Sequence, residues 1–246
     1  MRNTKLIISY DGTDFFGWQR QPAFRTVQQT LEEVLQRLAG GEEVKCIANG
    51  RTDTGVHAVG QVVNFHSNIT LSMDKLIRAC NGLLPKDIAV HHAEVVPDDF
   101  HASFSSTRKL YRYVINDGRT PDVFLRRYSW YHPYCRLNVD AMNAGAACLL
   151  GEHDFRCFET EWPNRTSSVR TIYHLKVIRL NDYLWINVEA NGFLYNMVRA
   201  ITGTLANVGR GYWPPEHVKT ILDGGKRTEA GPNAPPEGLF LMRVTY

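Results

Sequence analysis

The pattern of apolar and polar positions changes period several times along the chain, and each change marks an element. Lys5 to Ser9 alternates into the turn residues Asp11-Gly12, which reads as an opening strand. From Thr26 to Leu38 the period lengthens to that of a helix. Val27, Leu31, Val34, Leu35 and Leu38 share one face, Thr26 and Gln29 form a capping box, and Gly40-Gly41 stops the helix. Short strands are predicted over Val44 to Ala48 and Gln61 to Phe65, a second helix over Ser72 to Leu83, and an apolar strand over Ile88 to Val96.

The second half carries the same mixture. A strand over Lys109 to Ile115 runs into the turn signal Asn116-Asp117-Gly118, and the alanine-rich stretch Asn138 to Leu150 is helical. Thr171 to Leu180 and Tyr183 to Val188, joined by Asn181-Asp182, form a β-hairpin. The last long helix is expected over Phe193 to Val208, ended by Gly209. A polar, Gly- and Pro-rich loop over Gly224 to Gly238 then precedes a closing strand, Leu239 to Thr245. Strands, hairpins and helices mixed in this way give an α+β class rather than a regular βαβ array. The boundary is expected near Ser105, dividing residues 1–105 from 106–246, with no sequence repeat strong enough to prove duplication.

At 246 residues and 43% hydrophobic, the chain buries one large core or two modest ones. It has no run of eighteen apolar residues, so no membrane span is expected. Lys5 and Asp11 bracket only five residues, which makes a strand there and not a secretory core. Five widely spaced cysteines (Cys46, Cys80, Cys135, Cys148, Cys157), with no C-x-x-C pair, argue against a disulfide framework and a zinc site, and a reducing cytoplasm is the simplest location. A net charge of +3 is too small to identify a nucleic-acid binder. Its distribution says more. Arg20, Arg25, Arg108, Lys109, Arg112, Arg126, Arg127, Arg165 and Arg170 recur beside Trp18, Tyr111, Tyr113, Tyr128, Trp130 and Trp162. Cations neutralise phosphates and aromatic faces stack unpaired bases, although a soluble surface over ordinary core aromatics has the same composition.

The stretch Asn49-Gly50-Arg51-Thr52-Asp53-Thr54-Gly55-Val56-His57-Ala58 carries the chemistry. It sets the carboxylate of Asp53 in a glycine-bounded turn, two residues after the Arg51 guanidinium and between two predicted strands. On its own, such an aspartate is most often a turn former. Gly50-Arg51-Thr52-Asp53-x-Gly55-Val56-His57-Ala58, however, resembles the signature of the TruA family of tRNA pseudouridine synthases. Tyr10 to Gln21, Val96 to Ala102, Lys109 to Tyr113, Asn191 to Arg199 and Ala230 to Leu239 follow that family's pattern in order over nearly the whole chain. Thr54 stands where the family often has Ala, and Cys157 where Ser is more usual; neither removes a catalytic group.

The resemblance implies two pseudo-symmetric α/β halves with mixed, mainly antiparallel sheets around a central active-site cleft. It also implies isomerisation of uridine to pseudouridine at positions 38, 39 and 40, on the 3′ side of the tRNA anticodon arm, by a cytoplasmic homodimer that acts on tRNA and not on DNA. The family's catalytic aspartate matches Asp53, which attacks C1′ or C6 or removes a ribose proton; the residues leave these routes open. Arg199 matches the aspartate's partner, although a lone Arg opposite the apolar stripe of a helix is ordinarily a solvated face. Tyr111 matches the tyrosine that stacks on the flipped uracil, and Tyr113, on the same strand face, reads as packing. Arg20, Arg51 and Lys109 are candidate RNA contacts, while His57 and His101 receive no catalytic role. The reaction is redox-neutral and needs no cofactor or metal, and the chain has no phosphate-loop or dinucleotide glycine motif. Two rival classes remain: a noncatalytic RNA-binding protein on the same fold, and a hydrolase that would need a second acid, for which Asp11 and Asp14 are the candidates.

Overall fold

The structure, a computed structural model, describes residues 1–160 and 166–246. Arg165 and Trp162 of the basic and aromatic series lie outside the described residues. The elements run β1 (Arg2–Tyr10), α1 (Val27–Leu38), β2 (Ile47–Ala48), β3 (His57–Ser67), α2 (Met73–Leu83) and β4 (Ile88–Val95). They continue β5 (Arg108–Asn116), β6 (Trp130–Tyr131), α3 (Val139–Ala147), β7 (Gly151–Asp154), β8 (Val169–Leu180) and β9 (Tyr183–Ala190). The last are α4 (Met197–Gly209), α5 (His217–Gly224) and β10 (Leu239–Thr245). The class is α+β, with mostly antiparallel strand pairs, and none of the described helices is long and apolar enough to cross a membrane. The chain forms two compact units, Met1–Thr107 with Phe240–Tyr246, and Arg108–Leu239.

In the first unit the strand order is β4-β1-β3-β10. β1 lies antiparallel to both neighbours, and its alternation turns Leu6, Ile8 and Tyr10 inward. β10 joins β3 in parallel at His57 and Ala58, while β2 uses the same strand further along, at Val63 and Asn64. β2 is shorter than expected. Cys46 bonds to α1 instead of a ladder: its N–H donates to Glu32 Oε1 at 2.9 Å, and Gln28 Nε2 donates to its carbonyl at 3.3 Å. α1 buries Val27, Leu31, Val34 and Leu35. Its capping box is half made. Thr26 Oγ1 accepts the Gln29 N–H at 3.4 Å, but the Gln29 side chain turns forward to Glu33 at 2.9 Å.

The second unit orders β5-β9-β8-β7, with β6 parallel to β5. The β8–β9 hairpin forms around Asn181-Asp182 as expected, with Asn181 left-handed at φ 55°. α4 departs from the sequence expectation in two ways. It begins at Met197 and not at Phe193, because Asn196 sits at φ 62° and closes the turn before it; asparagine tolerates this region better than most residues. It is also buried almost all round, Arg199 excepted, so it has no solvated face. The sequence reading missed α5 altogether, an amphipathic helix of eight residues that buries Val218, Ile221 and Leu222.

Candidate active site

Asp53 sits half-buried on the loop between β2 and β3, and the Val56 N–H donates to its carbonyl at 3.1 Å to close a turn with Gly55 at φ 78°. A second loop, residues 11–18, grips that turn. The Trp18 N–H donates to the Thr52 carbonyl at 3.0 Å, and the Gly55 N–H donates to the Phe15 carbonyl at 3.3 Å. Tyr10 Oη and Thr52 Oγ1 share a buried hydrogen bond of 2.7 Å. The clasp requires two glycines. A Cβ on Gly12 would lie 2.0 Å from the Val56 carbonyl oxygen, and one on Gly17, at φ 80°, would lie 2.6 Å from that of Thr52. The motif from Tyr10 to Trp18 therefore positions Asp53 by backbone contact.

The histidines take structural parts. The Gly12 N–H lies 3.0 Å from His57 Nδ1, Asp11 Oδ1 lies 3.2 Å from the same nitrogen, and the ring stacks on Phe240 at 4.7 Å. His101 Nδ1 accepts the N–H groups of Ser103 and Phe104, each at 3.2 Å. Asp11 Oδ1 accepts from the Thr13 N–H at 3.0 Å and the Thr13 hydroxyl at 2.6 Å, which makes it a turn former beside His57.

In the second unit, Tyr111 and Tyr113 share the buried face of β5. Tyr111 meets Phe193 edge-on at 5.0 Å. The Tyr113 hydroxyl donates to the Pro235 carbonyl at 2.6 Å, and burial pushes its pKa well up. The Arg199 guanidinium is aimed by two partners. Nε donates to the Ala234 carbonyl at 2.6 Å, and Nη1 donates to Asn196 Oδ1 at 2.8 Å. The Ala234 N–H in turn bonds the Arg199 carbonyl at 3.0 Å, and Gly231 bonds Thr204 Oγ1 at 2.8 Å, so the Ala230–Ala234 loop is fastened along α4. Lys109 is half-buried, and burial first, then the charge of Arg170, lowers its pKa to about 8.

The remaining basic residues separate into two kinds. Arg51 is exposed, with no side-chain hydrogen bond or ion pair among the described residues. Arg20 is paired with buried Glu32 at 3.0 Å. Several other cations lie on rings of the same unit: Arg25 on Phe15 at 4.0 Å, Arg112 on Trp185 at 3.9 Å and Arg108 on Tyr173 at 4.4 Å. The interleaving of cations and aromatics along the sequence is thus partly intramolecular packing. Cys157 is fully buried, and burial pushes its thiol up to about 12, so it is an inert core residue.

The family model described as tRNA pseudouridine synthase matches residues 6–105 and 146–246, a span holding Asp53, Arg199 and the glycine clasp. The chain belongs to this family, whose enzymes are isomerases. Relatives named tRNA pseudouridine synthase A run end to end with it. The protein from a Thermoanaerobacter species is 44% identical over 246 residues, covering 100% of both chains. That of Caldicellulosiruptor bescii is 42% identical with the same coverage. That of Anoxybacillus flavithermus is 45% identical over 100% of this chain and 99% of its own. The TruA resemblance carried by the signature motifs is confirmed at full length.

Proposed function

We propose that this chain isomerises uridine to pseudouridine in the anticodon arm of tRNA, at the positions the resemblance names, with Asp53 as the nucleophile or base. The observation that carries the reading is the setting of Asp53: a half-buried carboxylate on a turn clasped by backbone contacts, in a member of this family. The N1–C1′ bond breaks, the retained uracil turns, and C5 bonds to C1′. The C5 proton leaves to water and N1 takes one up, so electrons balance without a carrier. Arg199 serves as the cation that complements the carboxylate, and the Tyr111 ring stacks on the flipped base. Arg51 and Lys109 contact phosphate, with Arg20 contributing less because Glu32 offsets its charge. The enzyme works as a homodimer. The test is release of tritium from C5-labelled uridine in unmodified tRNA. Release to water is expected with no added nucleotide; tight binding without release would make this a noncatalytic RNA binder.

Lys109 gives the proposal a pH signature. Its folded pKa near 8 lies below the ordinary lysine value of about 10.4, so its charge is present below pH 8 and lost above it. Affinity for tRNA is expected to fall as pH rises through about 8 to 9, and Lys109→Arg, charged throughout, should flatten that limb in binding titrations. A wild-type affinity constant across the limb would remove Lys109 from the RNA contacts. Folding stability moves the other way. Between pH 8 and the unfolded value the unfolded chain holds the extra proton, so this group's penalty is relieved as pH rises.

A further inference from the structure

The connection between β1 and α1, whose first part clasps the Asp53 turn, also presents an aromatic pair with no assigned role. Phe16 and Phe24 are 45% and 44% exposed, with ring centroids 4.3 Å apart and planes tilted by 38°. Their neighbours in sequence, Phe15 and Trp18, are buried at 1% and 2%, so the loop commits two rings to the core and holds two in water. The main chain beneath both rings is hydrogen-bonded, at Phe24 through its N–H to the Gln21 carbonyl at 3.4 Å. The Phe16 N–H donates to the Arg25 carbonyl at 2.9 Å, and Gln21 Nε2 donates to the Phe16 carbonyl at 3.1 Å. Ala23, one residue before Phe24, holds φ 65°, a conformation in which glycine would be relaxed; strain of this kind persists only where the surroundings enforce it. Phe16 lies one residue from the bond between Phe15 and Gly55, and hence beside the turn that carries Asp53.

We infer that Phe16 and Phe24 form a stacking platform for an unpaired base of the substrate RNA next to the target uridine, an inference that rests on the proposed function above. The surrounding chemistry favours a base over a phosphate. A cleft of about 500 Å³ opens beside Phe24, bounded by Arg25, Thr26, Gln29, Glu33 and Pro85. The first N–H groups of α1 in that wall are already used: Val27 donates to the Gly17 carbonyl, Gln28 to the Trp18 carbonyl and Gln29 to Thr26 Oγ1. Arg25 is held by both oxygens of Asp87, at 2.8 and 3.0 Å, and Arg20 is paired with Glu32. The Arg25 charge and these helix N–H groups are thus engaged within the protein, while the two exposed rings are available for stacking. An RNA base stacked there gains affinity without neutralising charge.

The test compares wild type with the double substitution Phe16→Ala and Phe24→Ala, by direct titration of unmodified tRNA and of a fully paired RNA duplex across a salt series. Affinity for tRNA should fall about ten- to a hundredfold. Affinity for the duplex and the slope of log affinity against log salt should stay at wild-type values, and a Phe16→Tyr, Phe24→Tyr variant should restore tRNA binding. In turnover the loss should appear in KM and not in kcat. Three results would overturn the platform: tRNA affinity within twofold of wild type, equal losses for tRNA and duplex, or a changed oligomeric state, which would make the pair a contact between copies. The titration reads binding alone, so a wild type that releases no tritium would defeat the proposed reaction while still judging the platform.

Discussion

Asp53→Asn is expected to lower tritium release by at least about a thousandfold while leaving the fold and tRNA affinity close to wild type. The substitution is nearly isosteric, and the turn is built from backbone: the Val56 N–H bonds the residue-53 carbonyl, and the Trp18 and Gly55 bonds involve no side chain of residue 53. What the variant loses is an anion able to form a covalent adduct or take a proton, a contribution of about 10² to 10⁴ for acid–base work alone and more where a covalent step depends on it. Far-ultraviolet circular dichroism and thermal unfolding would establish that the variant is folded, and a tRNA titration that it still binds. Normal release would remove Asp53 from the chemistry. An unfolded variant would assign it the plain turn-forming role that an aspartate in a glycine-rich loop ordinarily has.

Strong periodicity made most of the fold legible. α1 falls where its apolar face predicts, and the β8–β9 hairpin turns on Asn181-Asp182. The failures have local causes. The start of α4 was set four residues too early because Phe193 and Met197 extend the helical pattern, whereas the left-handed Asn196 interrupts the backbone without disturbing that pattern. α5 has no counterpart in the sequence expectation because its eight residues, close behind Pro214-Pro215, are too few to show a clear helical period. The site divides the same way. Asp53 is visible from its motif, but the clasp is not, because the reason for glycine at positions 12 and 17 lies in the distant segment from Thr52 to Val56. The Arg199 side chain is aimed by the Ala234 carbonyl, a contact that helical periodicity cannot show. Cation and aromatic spacing along the sequence misled in part, since the rings beneath Arg25, Arg108 and Arg112 are supplied by other parts of the fold.

Gly12→Ala should abolish most activity without touching a catalytic group, and that separates positioning from chemistry. The added Cβ would lie 2.0 Å from the Val56 carbonyl oxygen and 2.5 Å from its carbon, a backbone neighbour that no rotamer change can move aside. Gly12 is itself held by its N–H bond to His57, so the Asp53 turn must yield. A displacement of about 1 Å costs on the order of a hundredfold in rate, and overpacking of this kind about 1–3 kcal/mol in stability. Gly82→Ala is the matched control. Nothing lies within 4 Å of its Cβ position, it is exposed near the end of α2, and the same chemical change there should stabilise by about 0.5–1 kcal/mol. kcat at saturating tRNA, with thermal unfolding of both variants, measures the contrast; wild-type kcat in Gly12→Ala would mean that the clasp does not position Asp53. The double variant Gly12→Ala with Asp53→Asn should turn over no more slowly than Asp53→Asn alone. A clasp that acts only by placing the carboxylate has nothing left to place once the carboxylate is gone.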